Sequence, residues 1–107
     1  MAIKHLEYPC TVHFMGSHPG RFIIDRDDEA GTIKGEAQVK IIKMIHYPFE
    51  TGIYERREDG SIHYNAKLKS AFGNGTLDSD FDIDINGNIT GGAKGILTWD
   101  GKADSLE

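Results

Sequence analysis

Hydrophobic and polar positions alternate along most of this chain, and one turn signature punctuates the alternation. A glycine is followed by one small or polar residue, then by Ile or Leu opening a new alternating run. The signature reads Gly31-Thr32-Ile33, Gly60-Ser61-Ile62, Gly75-Thr76-Leu77 and Gly87-Asn88-Ile89. Period-two patterning between turn residues is the mark of consecutive β-hairpins. It predicts strands near 2–8, 10–15, 21–26, 32–43, 49–57, 61–72, 76–85 and 89–99. Helical spacing is almost absent: residues 36–45 come nearest to it, but they are rich in β-branched side chains.

The turns predict registers. Asn74-Gly75 suits a two-residue turn with positive φ at both central positions, which pairs Lys69 with Asp80 and Lys67 with Asp82. Glu58-Asp59-Gly60 suits a three-residue loop that sets Tyr54 opposite Tyr64 and Arg56 opposite Ile62, all on the apolar face. A three-residue loop over Asn86-Gly87-Asn88 keeps Ile85 and Ile89 together and sends Gly91, Ala93, Gly95, Leu97 and Trp99 inward. Glycines on an inward face point to close backbone approach in a tightly curled sheet. Pro9 and Pro48 are expected to break long strands, and residues 16–20 to form a loop.

These elements make an all-β chain: an antiparallel up-and-down meander of about seven or eight strands, closed into a small barrel or strongly curled. In architecture alone it resembles small calycin-like barrels. The Gly-x-Trp signature of lipocalins is absent from the first strand, and the single tryptophan, Trp99, comes near the end. Residues 1–105 are read as one domain, and Leu106-Glu107 as a remnant of cloning.

Composition narrows the function classes. A net charge of −5 disfavours nucleic acid and an anionic membrane surface as partners. No stretch is long and apolar enough for membrane insertion, and no signal-peptide core is present. Cys10 is the only cysteine, which excludes an internal disulfide. A cytoplasmic location is the default expectation.

Candidate chemistry is sparse. Asp82-x-Asp84-x-Asn86-Gly87 matches the opening of an EF-hand loop, but Ala93 stands where the bidentate Glu belongs and no flanking helices are readable. A hairpin turn explains the same letters. Asp78, Asp80, Asp82 and Asp84 line one strand face and read as a solvated surface. Cys10 and His13 have a zinc-like spacing, yet residues three apart on a strand point to opposite faces. No serine-nucleophile elbow, phosphate loop or dinucleotide fingerprint occurs, and neither metal nor cofactor is expected.

The one constellation with binding chemistry is Tyr54, Arg56 and Tyr64. An inward arginine needs a partner carboxylate or a ligand anion unless it lies at the rim and reaches water. The first reading is therefore a non-catalytic barrel that binds a small apolar or lipid-like acid. Tyr54, Arg56 and Tyr64 would anchor the acid, and Phe72, Phe81, Leu97 and Trp99 would form the apolar wall. A second reading is a structural or interaction module that forms a homo-oligomer through a strand edge or the Tyr47-Pro48-Phe49 patch. A third is a cofactor-independent isomerase- or cyclase-type enzyme using the interior tyrosines with His46 or Glu50.

Overall fold

The computed structural model describes residues 3–69, 75–93 and 96–104. Eight antiparallel strands follow in chain order: β1 (Ile3–His13), β2 (Ser17–Asp27), β3 (Thr32–Lys40), β4 (Met44–Arg56), β5 (Ile62–Lys69), β6 (Thr76–Ile83), β7 (Asn88–Ala93) and β8 (Leu97–Lys102). Each pairs with the next, and β8 returns to β1 to close the barrel. Closure removes the free edges that an open meander would expose.

Expectations about the strands are corrected at four places. Pro9 stays inside β1, one residue before the rungs to β8 begin, a position where a strand tolerates a missing N–H. Pro48 likewise stays inside β4, beside a register break between β3 and β4. The run predicted as 89–99 is two strands joined after Ala93, where the Ile96 N–H donates to the Ala93 carbonyl. Ala93 pairs with Leu97, so three residues intervene and the odd positions stay inward across the turn. That parity is why the alternation reads straight through it. Residues 17–20, expected in a loop, belong to β2, and the turn is residues 14–16 with Met15 and Gly16 at positive φ.

The registers divide in the same way. Tyr54 faces Tyr64 and Arg56 faces Ile62, as the 58–60 loop requires. Lys67, however, faces Asp78, and Lys69 faces Thr76, four positions from the expected register. The connection is longer than a two-residue turn, and Gly73 and Asn74 lie outside the described residues. Because the shift is even, each side chain keeps its face. The three-residue turn after β6 falls one position earlier than expected, over 85–87: Ile83, not Ile85, faces Ile89, and Ile85 is exposed.

Inside, the barrel is layered. Connections 28–31, 57–61 and 84–87 gather at one end, which Ile24, Ile62, Ile83 and Ile89 close with almost no exposure. Aromatic rings fill the middle: Phe22 stacks on Phe81 at 4.4 Å, Phe81 on Tyr64 at 4.8 Å, and Trp99 meets Phe22 edge-on at 5.2 Å. Such pairs add about 0.5–1.5 kcal/mol each beyond the area they bury. Toward the other end the core gives way to open space.

Candidate functional site

The two ends of the interior have opposite chemistry. At the closed end the alternation of β2 carries Phe22, Ile24 and Arg26 inward, so Arg26 is driven into the core by the same period that buries its neighbours. It has no exposed surface. Its Nε donates to Asp28 at 2.8 Å and one terminal nitrogen donates to the Tyr64 hydroxyl at 2.9 Å. Tyr64 and Tyr8 hydroxyls lie 3.0 Å apart, the guanidinium sits 5.1 Å from the centre of the Tyr54 ring, and Tyr54 donates to the same Asp28 carboxylate. Asp28 is held below the usual carboxylate range first by the Tyr54 hydroxyl and then by Arg26. Burial, with the Asp28 hydrogen bond, raises Tyr54. The buried cation is thus held by protein groups.

An arginine with two tyrosines does converge inside the barrel, but the arginine is Arg26. Arg56 is on the expected face, yet it stands at the end of β4 and is exposed. Tyr54 is half-buried and Tyr64 fully buried against Arg26, away from open space. Phe81 lies in the ring stack below the cavity. Phe72 lies outside the described residues. The signal for Arg26 was present in the inward alternation Phe22-x-Ile24-x-Arg26, followed at once by the acid Asp28.

At the open end, where connections 14–16 and 41–43 and Ile96 gather, the barrel holds a cavity of about 640 Å³. Its apolar wall includes Val12, Phe22, Val39, Tyr47, Leu97 and Trp99. Leu97 and Trp99, expected in an apolar wall, line this cavity. Cys10 and Ala37 also line the cavity. Burial pushes the Cys10 thiol up to about 12, with Asp100 adding to the rise, which leaves it protonated and a poor nucleophile at neutral pH. The Trp99 indole N–H is buried and has no acceptor among the described residues. His18 stands at the mouth, its Nε2 2.9 Å from the Phe14 carbonyl. Arg21 borders the same region, but its side chain turns to Gln38 at 2.9 Å and Glu7 at 3.3 Å.

The remaining motifs resolve into ordinary structure. Asp84 accepts hydrogen bonds from the backbone N–H groups of Asn86 and Asn88, both at 2.9 Å, so it braces the hairpin turn. These bonds hold its carboxyl below the usual range. Asp82 is engaged by His63 at 2.7 Å and Arg57 at 3.0 Å. No group of three metal-ligating side chains occurs among the described residues. Cys10 is buried, whereas His13 lies 2.7 Å from Asp100. His46 pairs with Glu36 and both His46 and Glu50 are exposed, so neither joins the interior tyrosines. No helix among the described residues is long and apolar enough to cross a membrane.

No family model matches the chain, and comparison with curated proteins and with solved structures returns no match, so the site is read from its own geometry.

Proposed function

We propose that the protein is a non-catalytic binder of a small apolar or lipid-like acid, taken up at the open end of the barrel. The observation that carries this reading is the cavity of about 640 Å³ walled by Phe22, Val39, Leu97 and Trp99. Pockets that enclose small molecules span roughly 300–1,000 Å³ and are mostly apolar with a few polar groups. The unsatisfied indole N–H of Trp99 supports the reading, because a buried donor without an acceptor is uncommon. The acid group belongs at the mouth, where His18 and the exposed Lys43 stand, since the closed-end cation is already held by Asp28 and Tyr64. A charged group at the mouth keeps its hydration while the apolar portion is buried.

The test uses the single tryptophan as reporter. Titration with cis-parinaric acid, a fluorescent fatty acid, is expected to quench Trp99 emission saturably. Ala37→Trp, which fills the cavity, is monitored instead by parinarate emission and should weaken binding by at least about tenfold, the loss of roughly 1.4 kcal/mol. Arg56→Ala should leave binding unchanged. Absence of saturable binding in the wild type rejects the reading.

A further inference from the structure

Among the described residues, exposed large apolar side chains concentrate at the mouth of the barrel, with Ile3, Ile53 and Ile85 the ones exposed elsewhere. Three described connections meet there, and their tips are apolar: Phe14 and Met15, Ile41 and Ile42, and Ile96. Met15 is 90% exposed and Ile42 93%, so these side chains project fully into solvent. Phe14, Ile41 and Ile96 also line the cavity, which places the whole ring around one opening. Single exposed apolar residues are common, but several gathered around one cavity mark an interaction surface.

Charge is segregated along the same axis. Connections at the closed end carry Asp28, Glu29, Glu58, Asp59 and Asp84 against the single cation Arg57. The described residues of the open-end connections carry no carboxylate, and exposed Lys40, Lys43 and Lys69 stand in or beside them. A net charge of −5 disfavours an anionic surface only if the charge is spread evenly. Here the connections at the far end are acidic, while the described connections at the mouth present lysines and apolar tips.

We propose that the open end docks on an anionic lipid bilayer, with Met15, Ile42 and their neighbours entering the interface and the lysines facing lipid headgroups. Apolar projections flanked by lysines match a surface whose headgroups are negative and whose interior is hydrocarbon. A second copy seated mouth to mouth matches it less well, because the same lysines would face one another. Docking rests on the ligand-binding reading in one respect: the cavity at the docked face is where lipid enters.

Co-sedimentation of the purified chain with vesicles of phosphatidylcholine alone, or mixed with phosphatidylserine, tests this. Binding is expected on the mixed vesicles, weakening as salt rises, and reduced about tenfold or more in Met15→Glu/Ile42→Glu. Both substituted side chains are exposed, so an unchanged melting temperature and retained parinarate binding show that the variant is folded with its cavity intact. Equal binding to both vesicle types, no binding, or an undiminished double variant overturns the docking. A dimer in light scattering that the double variant dissolves also overturns it, in favour of an interface between copies. Vesicle binding without parinarate binding upholds the docking and rejects the cavity reading; parinarate binding without vesicle binding does the reverse.

Discussion

The Arg26 guanidinium is the most consequential single group in the core. Burying a cation is costly unless it is paired, and here Asp28 and Tyr64 supply acceptors to two of its nitrogens while the Tyr54 ring lies 5.1 Å away. Removing a partner is therefore worse than removing the charge. Tyr64→Phe, which takes an acceptor from Arg26 and a hydroxyl partner from Tyr8, should cost about 1–3 kcal/mol. Arg26→Met, which removes both the charge and its desolvation, should cost less than Tyr64→Phe. Urea denaturation of both variants decides the order. Asp28 gives the same cluster a pH signature. A carboxylate held below its unfolded value contributes stability that is complete above about pH 4 and is lost as pH falls through the lower folded value. Asp28→Asn should therefore show a smaller drop in melting temperature than the wild type between about pH 4 and pH 2.

Among the elements, the hairpins obey their turn chemistry where the turn is short and depart from it where the loop lengthens. The 58–60 loop holds because Gly60, at φ +93°, supplies the left-handed position and the Arg57 N–H donates across it to the Ser61 carbonyl. The turn after β6 keeps three residues but sits one position earlier than expected, over 85–87, with Gly87 at φ +86° and Asp84 accepting from the backbone N–H groups of Asn86 and Asn88. Within β4, a break between Phe49 and Thr51 switches the inward face from odd to even positions. Periodicity alone does not reveal such a bulge, since either frame has apolar residues. Gly91 in β7 is a close-approach glycine. A Cβ there would fall 2.2 Å from the Asp80 carbonyl oxygen and 2.6 Å from the Phe81 Cα. Backbone cannot yield at those distances, so Gly91→Ala should cost about 3 kcal/mol or more, read as a fall in melting temperature or in soluble yield.

Across the whole molecule, the barrel is closed by its shortest seam. Residues 10–13 pair with 98–101, whereas β1 and β2 pair along their full lengths. The seam joins the most distant parts of the chain, so forming it carries the largest loop-closure cost and the fewest rungs to offset it. Native-state hydrogen exchange should find amides on both sides of the seam opening before those of the β1–β2 ladder. Uniform protection around the barrel would contradict this. The same closed topology separates a sealed, acidic end from an open, apolar one.

Alternation and turn residues were enough to determine an antiparallel meander of about seven or eight strands, the inward set on β5 and β6, and the Tyr54–Tyr64 pairing, because each depends on neighbours a few residues away. The expectation of an interior arginine among tyrosines was also legible as a type of chemistry. Which arginine filled that role was decided by closure. Arg26 and Arg56 both lie on inward faces near the same end, but Tyr54 covers Arg26 while Arg56 stands on the last rung and is exposed. The cavity, and the ring of Phe14, Met15, Ile41, Ile42 and Ile96 around it, arise only when distant turns meet at one end of the barrel. Period-two patterning tells a side chain which face to take; the curvature of the closed sheet tells it whether that face holds another side chain or open space.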